Sequence, residues 1–310
     1  MHFRVGYIIR NYDFQGAQIV ASDPIRRIEV QFTKRPQDET DPRAEPFQAV
    51  ATATCESDLP PAIEEAVSLS GSLPWDTEGV SQAFEELKAF VLRTLRLARW
   101  RANCPKSAIH PIQGTTGSSW SLDGKAWKDF GTYSLKIQFL GGFWPWTDEF
   151  AEFVKTEILG DLDEPLAHEL LREAVLNRKD TPRSSLVLAV AAAEVGFKQF
   201  ASKTFPDATW VLEKLQSPPL DTMFKVFPWP KLTVRINGKV PSIPGSIKSG
   251  LKKAVELRNQ VVHAGVAKLE AENVDYALTS ARDLLYFLDA LQGQKWAFKH
   301  MSADALKSLS

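Results

Sequence analysis

The stretch Leu251-Lys-Lys-Ala-Val-Glu-Leu-Arg-Asn-Gln-Val-Val-His-Ala-Gly265 decides how the second half of the chain is read. It closes a helix expected over residues 246–263, because Gly265 suits the position just past a helix end. Asn259 and His263 stand four apart and share a face of that helix. Arg258 lies about 100° round from Asn259 and about 140° from His263. Its long side chain reaches a common cleft best where a second subunit supplies the opposite wall. Upstream, Lys248, Lys252 and Lys253 form either a solvated face or a stripe that guides phosphates.

Working outward, the neighbouring segments are also helical. Residues 164–177 place Leu166, Leu170, Leu171, Ala174 and Val175 on one side. Residues 184–204 start on a serine cap and run nearly all apolar or small through Ala193, which predicts a central, buried helix ended by Pro206. Glu194 and Lys198 within it are four apart. They form an ordinary helix ion pair or, because apolar neighbours partly bury Glu194, a pair near the cleft. The last long helix spans 272–291, and the tail from Gly293 carries one more short helix with Trp296. A loop-rich, proline-bearing insertion occupies about 217–244, with a hairpin candidate turning at Asn237-Gly238.

The first half has a different texture. Residues 3–9, 27–32 and 47–55 read as strands, separated by a polar, proline-bearing loop at 34–46. Residues 80–103 repeat Val80, Phe84, Leu87, Val91, Leu95 and Ala98 at helical spacing, with Asp76 or Thr77 as cap and Pro105 as stop. GTTGSS at 114–119 reads as a small loop that lacks any phosphate-loop spacing. Short strands around the turn Asp123-Gly124, a hinge at 140–146 and a helix at 148–159 follow. The fold class is therefore an α+β domain over 1–160 followed by an all-α helical bundle over 161–310.

Composition sets limits on function. The chain has 310 residues, 44% hydrophobic and 24% charged, as in soluble globular proteins of about two domains. Lys plus Arg number 37 and Asp plus Glu 38, so the net charge of −1 excludes a bulk-charge coat on nucleic acid or anionic membrane. The split is uneven. Residues 1–160 carry 17 basic and 21 acidic groups (−4), and residues 161–310 carry 20 and 17 (+3). Cys55 and Cys104, with no CxxC, read as free thiols in a reducing compartment. No apolar leader opens the chain, and no run approaches the ~18 apolar residues that span a bilayer, which predicts a cytoplasmic protein. His2, His110, His168 and His300 find no partner by spacing. Trp144 and Trp146 are the tryptophans best placed to stack on bases. Nothing calls for a cofactor or metal.

Arginine, a polar amide and histidine suit metal-free RNA cleavage. Histidine moves protons between the 2′-hydroxyl and the leaving 5′-oxygen near neutral pH. A guanidinium stabilises the pentacoordinate phosphate, and the amide orients either partner. One chain provides one such histidine, and a two-fold dimer provides an acid and a base.

The R-N-x-x-x-H string at the end of a late helix, in an all-α domain, resembles the HEPN superfamily, whose hallmark is R-x(4–6)-H with a polar residue after the arginine. Arg258, Asn259 and His263 match it residue by residue, and Glu194 with Lys198 is similar to an E-x-x-x-K element of some members. The resemblance covers about residues 161–292. It implies a four-to-five-helix bundle that dimerises face to face, and a metal-independent endoribonuclease of prokaryotic defence, toxin–antitoxin or RNA-processing systems. Gly265 stands where toxins silenced by a nucleotidyltransferase antitoxin carry a tyrosine, so the resemblance does not extend to that control. The alternative is a catalytically inactive member acting as a dimerisation, nucleotide-sensing or protein-interaction module. Residues 1–160 would then, in either case, sense a trigger or bind a partner.

Overall fold

A computed structural model of the chain describes residues 1–9, 12–13, 19–23, 27–34, 49–73, 77, 79–103, 112–130, 144–145, 148–158, 162–209, 219–264 and 269–309. It divides into two compact units, Met1–Glu164 and Pro165–Ser310.

The first unit is built on an antiparallel sheet of six strands. They are β1 (His2–Ile9), β3 (Ile19–Asp23), β4 (Ile28–Lys34), β5 (Ala49–Glu56), β6 (Ile112–Ser121) and β7 (Lys128–Asp129), in the order β3-β4-β5-β1-β6-β7. Tyr12–Asp13 (β2) and Trp144–Pro145 (β8) pair separately and in parallel. Alternation sorts the sheet's faces: Phe3, Val5 and Tyr7, Ile28, Val30 and Phe32, and Ala51, Ala53 and Cys55 are buried. Glu29 and Glu56 lie on the open face. Helix α1 (Pro61–Ser70) precedes α2 (Val80–Ala102), whose apolar stripe covers the buried face. Phe84 meets the Phe3 ring edge-on at 5.6 Å, and the Tyr7 hydroxyl donates to the Phe84 carbonyl at 3.4 Å. Helix α3 (Asp148–Glu157) completes the unit.

Two local expectations are corrected here. GTTGSS is not a loop. It lies inside β6, paired with β1 across a bulge at Gly6, because the long partner strand offers it a ladder that outweighs glycine's preference for turns. The residue capping α2 is Gly79 rather than Thr77, while Asp76 and Pro105 lie outside the described residues. Helix α1 was not read from the sequence at all.

The second unit is mostly helical. Its long helices are α4 (Leu166–Asn177), α5 (Pro182–Thr204), α7 (Gly245–Ala264) and α8 (Ala271–Leu291), with two short ones, α6 (Leu220–Val226) and α9 (Ala303–Lys307). Helix α5 packs against α4, α7 and α8, and so forms the centre of the bundle. By length and composition it is apolar enough to cross a membrane, but 56% of that stretch is buried inside the protein, as for a core helix. It begins earlier than its serines suggest, with Thr181 at the cap and Pro182 at the first helical position, where a missing N–H costs nothing.

The proline-bearing insertion is more ordered than its composition suggests. It contains α6 and a 3₁₀ turn at Trp229–Lys231. Phe224, Phe227 and Trp229 pack against Phe197 and Phe200 of α5 at ring separations of 4.9–6.4 Å, which fastens the insertion to the bundle. Its hairpin is reduced to a single bridge, Ile236 to Lys239, with Asn237 and Gly238 at φ 50° and 76° as a type I′ turn requires. At Gly250 helix α7 approaches α8 so closely that an added Cβ would sit 2.0 Å from Ser280 Oγ. This close crossing sets the position of the arginine-bearing helix.

Candidate functional site

Helix α7 carries the candidate residues. Its inner face packs Ala254 into a cluster with Leu186 and Val190 of α5 and Ala277 of α8, with Val255, Leu257 and Val261 alongside. The helical period then determines which of the candidate residues face inward. Arg258 follows Ala254 by one turn and points onto α5, where its Nη2 donates to Glu194 Oε1 at 3.0 Å. Both side chains are 28% exposed. The Arg258 Nε is buried and has no hydrogen-bond partner among the described residues, so the guanidinium is held by one bond and packing, with spare donors.

Asn259 and His263 lie on the opposite, solvent side. Both are exposed, and they keep the shared face that their spacing predicts. The helix ends at Ala264, so His263 sits in its last turn. Neither residue makes a hydrogen bond or ion pair among the described residues. Gly265 lies outside them. Val262, between the two faces, is 54% exposed.

The structure thus joins Arg258 to Glu194 and aligns Asn259 with His263, while Arg258 and His263 look in directions about 140° apart on one helix. One chain presents the arginine and the histidine on separate faces. Glu194 and Lys198 do not pair. Glu194 turns to Arg258, a contact between helices that spacing along one helix does not reveal, and Lys198 forms no ion pair among the described residues. Of the three lysines, Lys248 and Lys252 are exposed on the His263 side. Lys253 lies further round, its ammonium 5.6 Å from the centre of the Tyr276 ring.

A second polar pair escaped the sequence reading. His168 Nε2 lies 2.8 Å from Asp289 Oδ2, both nearly buried, and the imidazole packs on Tyr286 at 4.9 Å. They line a cavity of about 70 Å³ with Gln199, whose Oε1 has no hydrogen-bond partner among the described residues. His300 also packs on Tyr286, its ring tilted by 46° with the centres 4.9 Å apart. These partners are brought together by the bundle, so no local motif announces them. His110, Cys104 and Trp146 lie outside the described residues.

Among the described residues no cluster of three His, Cys, Asp or Glu side chains is arranged to hold a metal ion. Comparison of the chain with family models, with curated proteins and with solved structures finds no match.

Proposed function

We propose that the protein is a metal-independent endoribonuclease of the HEPN type, acting in the cytoplasm as a homodimer in prokaryotic defence or growth arrest. The observation that carries the reading is the Arg258–Glu194 contact: the arginine of the R-x4-H string is fixed by a carboxylate from another helix, not left as a solvated surface charge. Fixing a guanidinium before substrate arrives lets it stabilise phosphate charge without reorganisation at the moment of reaction.

In this reading two α7 helices face each other across the dimer axis. One His263 takes the proton of the ribose 2′-hydroxyl as that oxygen attacks phosphorus. The His263 of the second copy gives a proton to the departing 5′-oxygen as the P–O5′ bond breaks. The products are a 2′,3′-cyclic phosphate and a 5′-hydroxyl. Arg258 clamps the pentacoordinate phosphate, Asn259 orients the imidazole or the phosphate, and Glu194 holds the Arg258 plane. Each proton transfer contributes about 10²–10⁴-fold.

A second reading follows from the same contact. Glu194 already neutralises Arg258 within its own chain, as suits a non-catalytic dimerisation, nucleotide-sensing or protein-interaction module. Expression in bacteria separates the two. The nuclease reading predicts growth arrest and fragmented cellular RNA with the wild type, both relieved by Arg258→Ala or His263→Ala. Equal growth and intact RNA in all three strains would favour the module.

A further inference from the structure

We propose that the cleft between α6 and α7 is a nucleotide subsite that takes one base and its phosphates from single-stranded RNA, at a distance from the scissile bond. This rests on the RNA reading above but concerns a place that the R-x4-H residues do not touch.

The cleft has a volume of about 180 Å³ and an apolar floor of Leu220, Phe224, Leu251 and Val255. At ~30 Å³ per water it holds about six waters, the scale of one heteroaromatic ring. Lys248 and Lys252, one turn apart, stand at its rim with Asp221 and Glu256. Asp221 is ion-paired to Lys225 at 2.5 Å, so two lysines face one carboxylate and the rim is cationic. An apolar slot edged by ammonium groups matches a nucleotide, whose base is planar and weakly polar and whose backbone is anionic. Glu256 can accept from a base amine or a ribose hydroxyl.

Position supports this. Lys248, Lys252, Glu256, Asn259 and His263 are all exposed and fall within about 80° of one another around α7. They form one continuous stripe from the cleft to the histidine. Lys252 and His263 are eleven residues apart, about 16 Å along the helix. That span fits about five stacked nucleotides at 3.4 Å each. The cleft therefore holds a nucleotide several positions from the cut.

The test is fluorescence anisotropy on the full chain with 2′-O-methyl RNA hexamers, which bind but cannot be cut. The wild type should bind the hexamer several-fold more tightly than an abasic hexamer with the same phosphates. Lys248→Gln/Lys252→Gln should lower the slope of log affinity against log salt by about 1.4, two single-strand phosphate contacts. Val255→Phe, which fills the cleft, should remove the preference for bases while leaving the salt slope. Equal affinity for the abasic hexamer, or an unchanged slope in the double lysine variant, would overturn the subsite. Those lysine changes lie on the surface, so a folding failure of Val255→Phe leaves the test intact. Base-dependent binding without cleavage of ordinary RNA would sink the nuclease reading and spare the subsite. Cleavage without base-dependent binding would do the reverse.

Discussion

At the scale of single residues, Glu194 decides how Arg258 is presented. Replacing it with alanine removes one charge-assisted hydrogen bond at a partly exposed site, worth about 1 kcal/mol. Glu194→Ala should lower the urea midpoint modestly and cut RNA cleavage about tenfold or more, whereas Glu194→Gln, which keeps an acceptor, should recover most of the activity. A full loss of folding in Glu194→Ala would show the pair to be structural instead. Cys55 offers an independent check on the sheet. Burial, aided by nearby Glu86, pushes its thiol up to about 12. The folded state keeps a proton that the unfolded chain releases near pH 8.5, so this group weakens stability as pH climbs from about 8.5 towards 12. In a Cys104→Ser background, the thiol should react with a thiol reagent at pH 8 only when the chain unfolds. Above about pH 8.5 the wild type should lose stability relative to Cys55→Ala, by at most about 1.4 kcal/mol per unit, so its advantage over that variant narrows. The residue types of the candidate site were legible because R-N-x-x-x-H is local. Glu194's partner was not, since α5 and α7 meet only through the tertiary fold, and His168–Asp289 was hidden for the same reason.

At the scale of elements, hydrophobic period identified the long helices and central strands, and structure moved their ends by a residue or two. Helix α2 and helix α8 follow their apolar repeats nearly to the residue, because buried Leu87, Val91 and Leu95, or Leu284, Leu285 and Leu288, each contribute about 1.5–3 kcal/mol to one face. Where composition misled, tertiary pairing was the reason. GTTGSS became a strand because β1 was there to pair with, and the proline-bearing insertion gained order from the Phe197–Phe224–Phe227–Trp229 cluster. Helix α1 lies largely exposed, with only Val67 buried, so it carries little apolar periodicity to read. The α7–α8 crossing gives a prediction of its own. Gly250→Ala forces a methyl against Ser280 and should destabilise the bundle by about 1–3 kcal/mol, seen as a lower thermal midpoint. Gly250→Ala/Ser280→Ala, which removes the hydroxyl in the way, should regain part of the loss.

At the scale of the whole molecule, the charge balance is informative once divided: −4 over residues 1–160 and +3 over 161–310, with the candidate site on the basic half. The first unit ends in an arginine clamp. Arg93 donates to the Leu162 carbonyl, Arg96 binds Asp163, and Arg99 binds Glu164 at 2.6 Å in a pair that is 1% and 0% exposed. The last residues before the second unit are thus anchored to α2. Removing one partner leaves a buried charge, so Glu164→Ala should cost about 3–5 kcal/mol of the first unit's stability in denaturant unfolding, against near neutrality for an exposed pair such as Lys155–Glu152. The central claim concerns the assembled molecule, because one chain turns Arg258 and His263 to different sides and only two copies make an acid and a base. The most direct measurement is incubation of purified wild type and His263→Ala with total RNA in EDTA, followed by analysis of the new ends. The account predicts cleavage by the wild type alone, leaving 2′,3′-cyclic phosphates. Equal cleavage by both proteins, or none by either, would contradict it.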